Sequence, residues 1–187
     1  MLGSLALLSN LLALTIPVTA ASLLYARWEY RKRGRLTLVG LLLLSVMLFI
    51  PNLVLEYATS YEIPDSLLDY IGVFVGFAGI ILCLVSITLF RSIPRVMCLD
   101  SGNLTKFGPY QWSRNPQYVG WFLFLLGFAL NDWSLWCFAA LLVVVVSLHL
   151  LILVEEEHLT RVFGEQYVLY CHEVPRYWRP WSSIDIA

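Results

Sequence analysis

The sequence predicts an all-α polytopic membrane protein with about five transmembrane helices, the last two forming a helical hairpin, and a cytosolic C-terminal helical cap. Three observations predict it. Of 187 residues, 59% are hydrophobic and only 13% charged, far from the roughly half and quarter of a soluble domain. Mean hydropathy is +0.75. The apolar residues fall into runs near the 20 or so that a bilayer crossing requires. Twelve Lys and Arg against thirteen Asp and Glu give a formal charge of −1. No basic surplus exists for a nucleic-acid partner. Four cysteines in a chain of this length are too sparse for a disulfide scaffold.

The first span is expected within Leu2 to Ala26, which carries no charge. Val18-Thr19-Ala20-Ala21 has the small residues of a cleavage site, but a signal peptide carries its positive charge before the apolar run. Here the charge follows, so the segment reads as a retained span with a kink at Pro17. Leu36 to Leu55 forms the second span. Leu67 to Phe90 forms the third, with Gly72, Gly76 and Gly79 read as a close-packing surface. Tyr118 to Val154 is too long for one crossing. Asn131-Asp132-Trp133-Ser134 is read as the turn that divides it, and the first arm is short for a full span.

The cations test this count. They follow span one (Arg27, Arg31, Lys32, Arg33, Arg35), span three (Arg91, Arg95, Lys106, Arg114) and span five (Arg161, Arg176, Arg179). The loop between spans two and three holds Glu56, Glu62, Asp65 and Asp69 and no cation. Five spans place all twelve cations on one side. The positive-inside rule then sets the N-terminus outside and the C-terminus in the cytoplasm. Residues 1–96 read as an N-terminal unit of three spans, and 97–187 as the cofactor-binding and catalytic region.

Two cytosolic segments carry the chemistry. Met97 to Tyr118 is a loop punctuated by Gly102, Gly108, Pro109 and Pro116. It is long for a connector and rich in Tyr and Trp, which argues for function. The second segment follows span five. Glu155, Glu156 and Glu157 come directly after a Val, Leu and Ile run. Successive helical positions lie about 100° apart, so at least one acid turns towards the bundle. Leu159, Val162 and Phe163 extend the helix about two turns into the cytosol. Gly164 then ends or bends it, Glu165 to Glu173 form a second short helix, and Pro175 stops that one. Arg114 and Arg176 can hold anions, Glu155 and Glu156 a cation, and Tyr110 and Tyr118 a flat ring. S-adenosylmethionine has a matching inventory: carboxylate, ammonium, sulfonium and aromatic base. His149, inside span five, and His158 read as packed or surface residues. His172 beside Cys171 lacks metal-ligand spacing, so no metal site is expected. The four cysteines are scattered and read as buried apolar groups.

Gly108-Pro-Tyr-Gln-Trp-Ser-Arg-Asn-Pro-Gln-Tyr118, followed by Glu155-Glu-Glu-His-Leu, Phe163-Gly164, Tyr167, Tyr170 and Val174-Pro-Arg176, resembles one superfamily. It is that of the integral-membrane isoprenylcysteine carboxyl methyltransferases and phospholipid methyltransferases. The resemblance covers roughly Asn103 to Pro180. It implies an all-helical enzyme with S-adenosylmethionine in a cytosolic pocket that also opens to the bilayer, and a lipophilic acceptor such as an isoprenylcysteine carboxylate or a phospholipid amine. By resemblance, Leu104, Thr105 and Tyr110 surround the adenine, and Gly108 is a further cofactor-binding residue. Arg114, Asn115, Pro116 and Tyr118 match the family's Arg-His-Pro-x-Tyr motif. Glu155 and Glu156 meet the cofactor's amino-acid end or ribose, and Arg176 faces the reacting group. Arg176, Glu155 and Tyr118 are the implied catalytic residues. Asn115 departs from the usual His; it keeps a donor and an acceptor but cannot titrate. Asn-Pro at this place is also similar to the NADPH-dependent membrane sterol reductases of the same superfamily, a competing expectation. A non-enzymatic scaffold is the third.

Overall fold

The computed structural model describes residues 2–58, 65–89, 104, 106–131 and 134–178. Six α-helices and one 3-10 turn make up the regular structure of these residues: α1 (Leu2–Arg33), α2 (Leu38–Ala58), α3 (Leu67–Leu89), the turn Gly108–Gln111, α4 (Pro116–Asn131), α5 (Leu135–Phe163) and α6 (Glu165–Glu173). The all-α class is as the composition predicts. Four helices, α1, α2, α3 and α5, are long and apolar enough to cross a membrane. At about 1.5 Å per residue, the 16 residues of α4 span about 24 Å, short of a hydrocarbon core of about 30 Å. The fourth of the five expected crossings is thus a short arm. The α4–α5 hairpin is present, with Ser134 capping α5 by accepting from the Trp136 N–H at 3.2 Å.

The long helix α5 organises the bundle. Its buried residues Cys137, Ala140, Leu141, Val144, Ser147, Leu148, Leu151 and Ile152 recur at three and four, the spacing of one helical stripe. One part of the stripe meets Val54 of α2 and Leu125 and Ala129 of α4. The other meets Leu23 and Ala26 of α1 and Met47 of α2. On the far side of α4 lies α3, whose Gly72, Gly76 and Gly79 face Gly120 and Gly127. The expected packing role of those three glycines is therefore what they perform. Outward residues such as Phe74, Phe77 and Ile81 stay exposed, as lipid-facing side chains do. With four such helices, the protein is an integral multi-pass membrane protein.

The turn between α1 and α2 rests on a buried acid. Gly34 takes φ +68°, which ends α1 in a left-handed conformation. Glu29, fully buried, reaches forward to the start of α2. Its carboxylate accepts the Thr37 N–H at 2.8 Å and the Thr37 hydroxyl at 2.6 Å, with Arg33 Nη1 3.5 Å away. An acid at a helix N-terminus satisfies a free N–H and complements the helix dipole. Glu29→Ala is expected to lower stability by about 1–3 kcal/mol, read as a fall in the melting temperature of the purified protein in detergent. A melting temperature unchanged from the parent would show that Thr37 is capped some other way.

All helix ends that carry described cations lie together. Arg27 and Arg31 of α1 contact Glu157 of α5. Tyr110 of the 3-10 turn reaches Ser86 near the end of α3 and is itself contacted by Tyr170 of α6. Asp69, at the start of α3, belongs to the opposite end, where Gly72 meets Asn131 of α4.

Candidate functional site

Three pieces of backbone converge at the cationic end: residues 113–118 leading into α4, the exit of α5, and residues 174–178 after α6. The helices explain why. Asn115 precedes α4 and accepts the Tyr118 and Val119 N–H groups through its carbonyl, and Pro116 supplies a pre-set first helical residue. Gly164, at φ +53°, lets the chain break from α5 and turn into α6, and Tyr167 and Tyr170 pack that helix against Val174 and Leu104. The segment after α6 is then tied to the loop before α4. The Arg114 N–H donates to the Pro175 carbonyl at 2.9 Å. The Ser113 hydroxyl and the Asn115 side-chain amide both donate to the Arg176 carbonyl at 3.2 Å.

The charged side chains meet inside this frame. Glu156 receives Arg176 through Nη2 at 2.7 Å and Nε at 3.1 Å, and Arg114 through Nη1 at 3.1 Å. Glu156 and Arg114 have only 12% and 11% of their side chains exposed. The pairing holds Arg176 above its ordinary basicity, so it stays a cation. Arg114 also donates to Cys171 Sγ. Its Nε is buried without a hydrogen-bond partner among the described residues. Burial and the Glu156 carboxylate push the Tyr167 phenol well above its usual range, and burial does the same for Tyr170. Both remain neutral donors. Beside this group, the Tyr118 hydroxyl donates to Glu155 Oε1 at 2.7 Å. No described cation pairs with Glu155.

Below the polar cluster lies an apolar cavity of about 340 Å³ between α4 and α5. Tyr118, Phe122, Leu148 and Ile152 form its walls, and Tyr177 and Trp178 lie across it. His149 lines it too, and its Nδ1 shares a short hydrogen bond with the Tyr177 hydroxyl. Tyr118 belongs to both places: its ring lines the cavity and its hydroxyl holds Glu155.

The residues singled out in the sequence are thus distributed unevenly. Arg114, Asn115, Tyr118, Glu155, Glu156 and Arg176 come together. Gly108 sits at φ +63°, a turn close against Leu89. Tyr110 is only 3% exposed. Its hydroxyl donates to the Ser86 carbonyl and to Gln117, and its own carbonyl accepts from Tyr170. It anchors the loop to α3. Leu104 packs on Tyr167 and Tyr170. Thr105 lies outside the described residues, as do Met97 to Asn103. His158 stacks on Tyr30 with centroids 4.2 Å apart, a packed residue as read. His149 is different, since a side-chain hydrogen bond links it to the chain 28 residues on. Its place inside an apolar span was the available signal; its partner had none.

The short arm α4 and the exit of α5 therefore share one polar cluster. Residues 95–166 match the phospholipid methyltransferase family. No curated protein and no solved structure matches the chain. The matched stretch runs from the loop through α4 and α5 into α6, and so contains Arg114, Tyr118, Glu155 and Glu156. It agrees with the resemblance to the isoprenylcysteine and phospholipid methyltransferase superfamily. The match supports a membrane methyltransferase that acts on lipids. Arg176 and Tyr177 lie beyond the match and join the cluster through space.

Proposed function

We propose that this protein transfers a methyl group from S-adenosylmethionine to a membrane-resident lipid at the cytosolic membrane face. The observation that carries the reading is Tyr118, which joins a charged cluster to an apolar cavity fit for a lipid tail. The donor set suits the cofactor. Arg114 has an unused buried donor for a carboxylate. Glu155, free of described cation partners, suits an ammonium or a sulfonium. Glu156 acts differently from a direct ligand: its charge is shared by two guanidinium groups and fixes where they point. Leu104, Gly108, Tyr110 and Asn115 shape the loop around this place, and Thr105 belongs to the same stretch.

When bound, the cofactor supplies an electrophilic methyl on a sulfonium. The chain's own work is to align the acceptor and exclude water, which can account for much of such an acceleration. Arg176 places an anionic group of the acceptor, while the cavity walls hold its apolar part. An amine acceptor must also lose a proton. Glu156 is held by two arginines and His158 is stacked on Tyr30. Glu155 and His149 are the groups left to take it. Kinship with phospholipid methyltransferases favours the amine over a carboxylate.

Calorimetric titration of the purified protein with S-adenosylhomocysteine tests the reading. Saturable binding is expected, with at least tenfold weakening in Glu155→Gln. NADPH is the second titrant. Its phosphates carry several negative charges, whereas Arg114 and Arg176 sharing the Glu156 carboxylate leave a surplus of one positive charge. Binding of NADPH without S-adenosylhomocysteine would replace the methyltransferase with a reductase.

A further inference from the structure

We infer that the groove between α1 and α5 is a seat for an anionic phospholipid, separate from the methyl-transfer site. Glu157 gathers three guanidinium groups. Arg27 Nε donates at 2.7 Å, Arg31 Nη2 at 2.6 Å and Arg161 Nη2 at 2.5 Å. Three positive charges face one negative charge, a local surplus of two. Each of the three arginines keeps nearly half of its side chain exposed. Lys32 and Arg33 are engaged elsewhere, over the ring of Trp28.

Directly below this rim a groove of about 320 Å³ runs between the two helices. Leu23, Leu24, Leu150, Leu153 and Val154 line it, with Arg27 and Glu157 at its mouth. Leu24, Leu150 and Leu153 are exposed, so an acyl chain reaches them from the bilayer without displacing a helix. A cationic surplus alone would mark only a helix end at a membrane surface. A surplus set on an apolar trough matches a molecule with a negative head and a hydrocarbon tail. A zwitterionic lipid carries its own ammonium beside the phosphate and leaves the surplus unneutralised. An anionic lipid neutralises it, and each basic residue near such a headgroup contributes about fivefold in affinity.

The test uses the full protein in neutral detergent. Thermal unfolding is followed as phosphatidylglycerol, phosphatidylcholine of the same chains, or inorganic phosphate is added. A ligand specific to the folded state raises the melting temperature with concentration. Phosphatidylglycerol is expected to do so, and the other two to give little shift. The double variant Arg27→Gln, Arg161→Gln should weaken the phosphatidylglycerol response by about 25-fold in apparent affinity. Leu150→Trp, which fills the groove and keeps the cations, should weaken it as well. S-adenosylhomocysteine binding should be unchanged in all of these variants. Equal shifts from the two lipids on the unaltered protein would overturn the proposal, whether or not the variants fold. An equal shift from inorganic phosphate, or a full response in Leu150→Trp, would remove the lipid tail from it.

Discussion

Glu156→Gln is expected to abolish methyl transfer and to lower the melting temperature together. The carboxylate holds Arg176 through two nitrogens and Arg114 through a third. A glutamine offers one carbonyl oxygen and no charge, leaving two guanidinium groups with no counterion. Breaking a buried pair costs about 3–5 kcal/mol, because the partner is left charged and poorly solvated. Arg114 meets that condition; Arg176, a third exposed, recovers part of its hydration, so the lower end of the range applies. The damage extends to position. Arg176 anchors the segment whose next residue, Tyr177, crosses the apolar cavity to His149. A shift of about 1 Å in a positioning group can cost on the order of 100-fold in rate. The measurements are the unfolding temperature in detergent and transfer of labelled methyl groups to extracted lipid. Glu155→Gln is the control for charge. Its amide oxygen can still accept from Tyr118, so stability should hold while the rate falls. A Glu156→Gln protein with parental rate and melting temperature would mean that the cluster is not where the chemistry occurs.

Much of this frame could be read from residues alone, because the signals are local. Gly164 and Pro175 bracket α6 at the expected Glu165 to Glu173, since a positive φ and a missing N–H are properties of single residues. Charge placed the loop and the α5 exit at one end, since membrane helices run across and back. Tyr118 and Glu155, 37 residues apart, follow from that topology and from a family pattern. Other features depend on distances that periodicity does not encode. Nothing local announces that Glu156 is neutralised by two arginines, one before α4 and one after α6. The His149–Tyr177 bond depends on how residues beyond Pro175 fold back along α5. Glu29 looks like one more member of a charged helix end, yet it turns inward as the cap of α2, because Gly34 reverses the chain close beside it.

Gly120→Val is expected to separate α3 from α4 and to deplete the folded protein. A Cβ on Gly120 would sit 2.6 Å from the Cys83 nitrogen and 2.7 Å from the Gly79 oxygen. Both are backbone atoms and cannot rotate away. The facing position tells the same story, since a Cβ on Gly127 would lie 2.5 Å from the Gly72 oxygen. Lipid is as apolar as the helix faces, so close packing must hold such a pair together. The opposite face of α3 is exposed. Its other anchor is the 3-10 turn, where Tyr110 meets Ser86. Overpacking costs about 1–3 kcal/mol where side chains can yield, and the valine should exceed that range because backbone must move. Tyr118 lies two residues away, so its bond to Glu155 should be disturbed in any molecules that fold. Gly76→Ala is the discriminating partner. Its Cβ would meet the Phe124 oxygen at 3.6 Å, an ordinary contact, and alanine favours helix over glycine by up to about 1 kcal/mol. It should leave yield and melting temperature equal or raised. If both substitutions behaved alike, α3 and α4 would not touch backbone to backbone in the bilayer, and the short arm that carries Tyr118 would need another support.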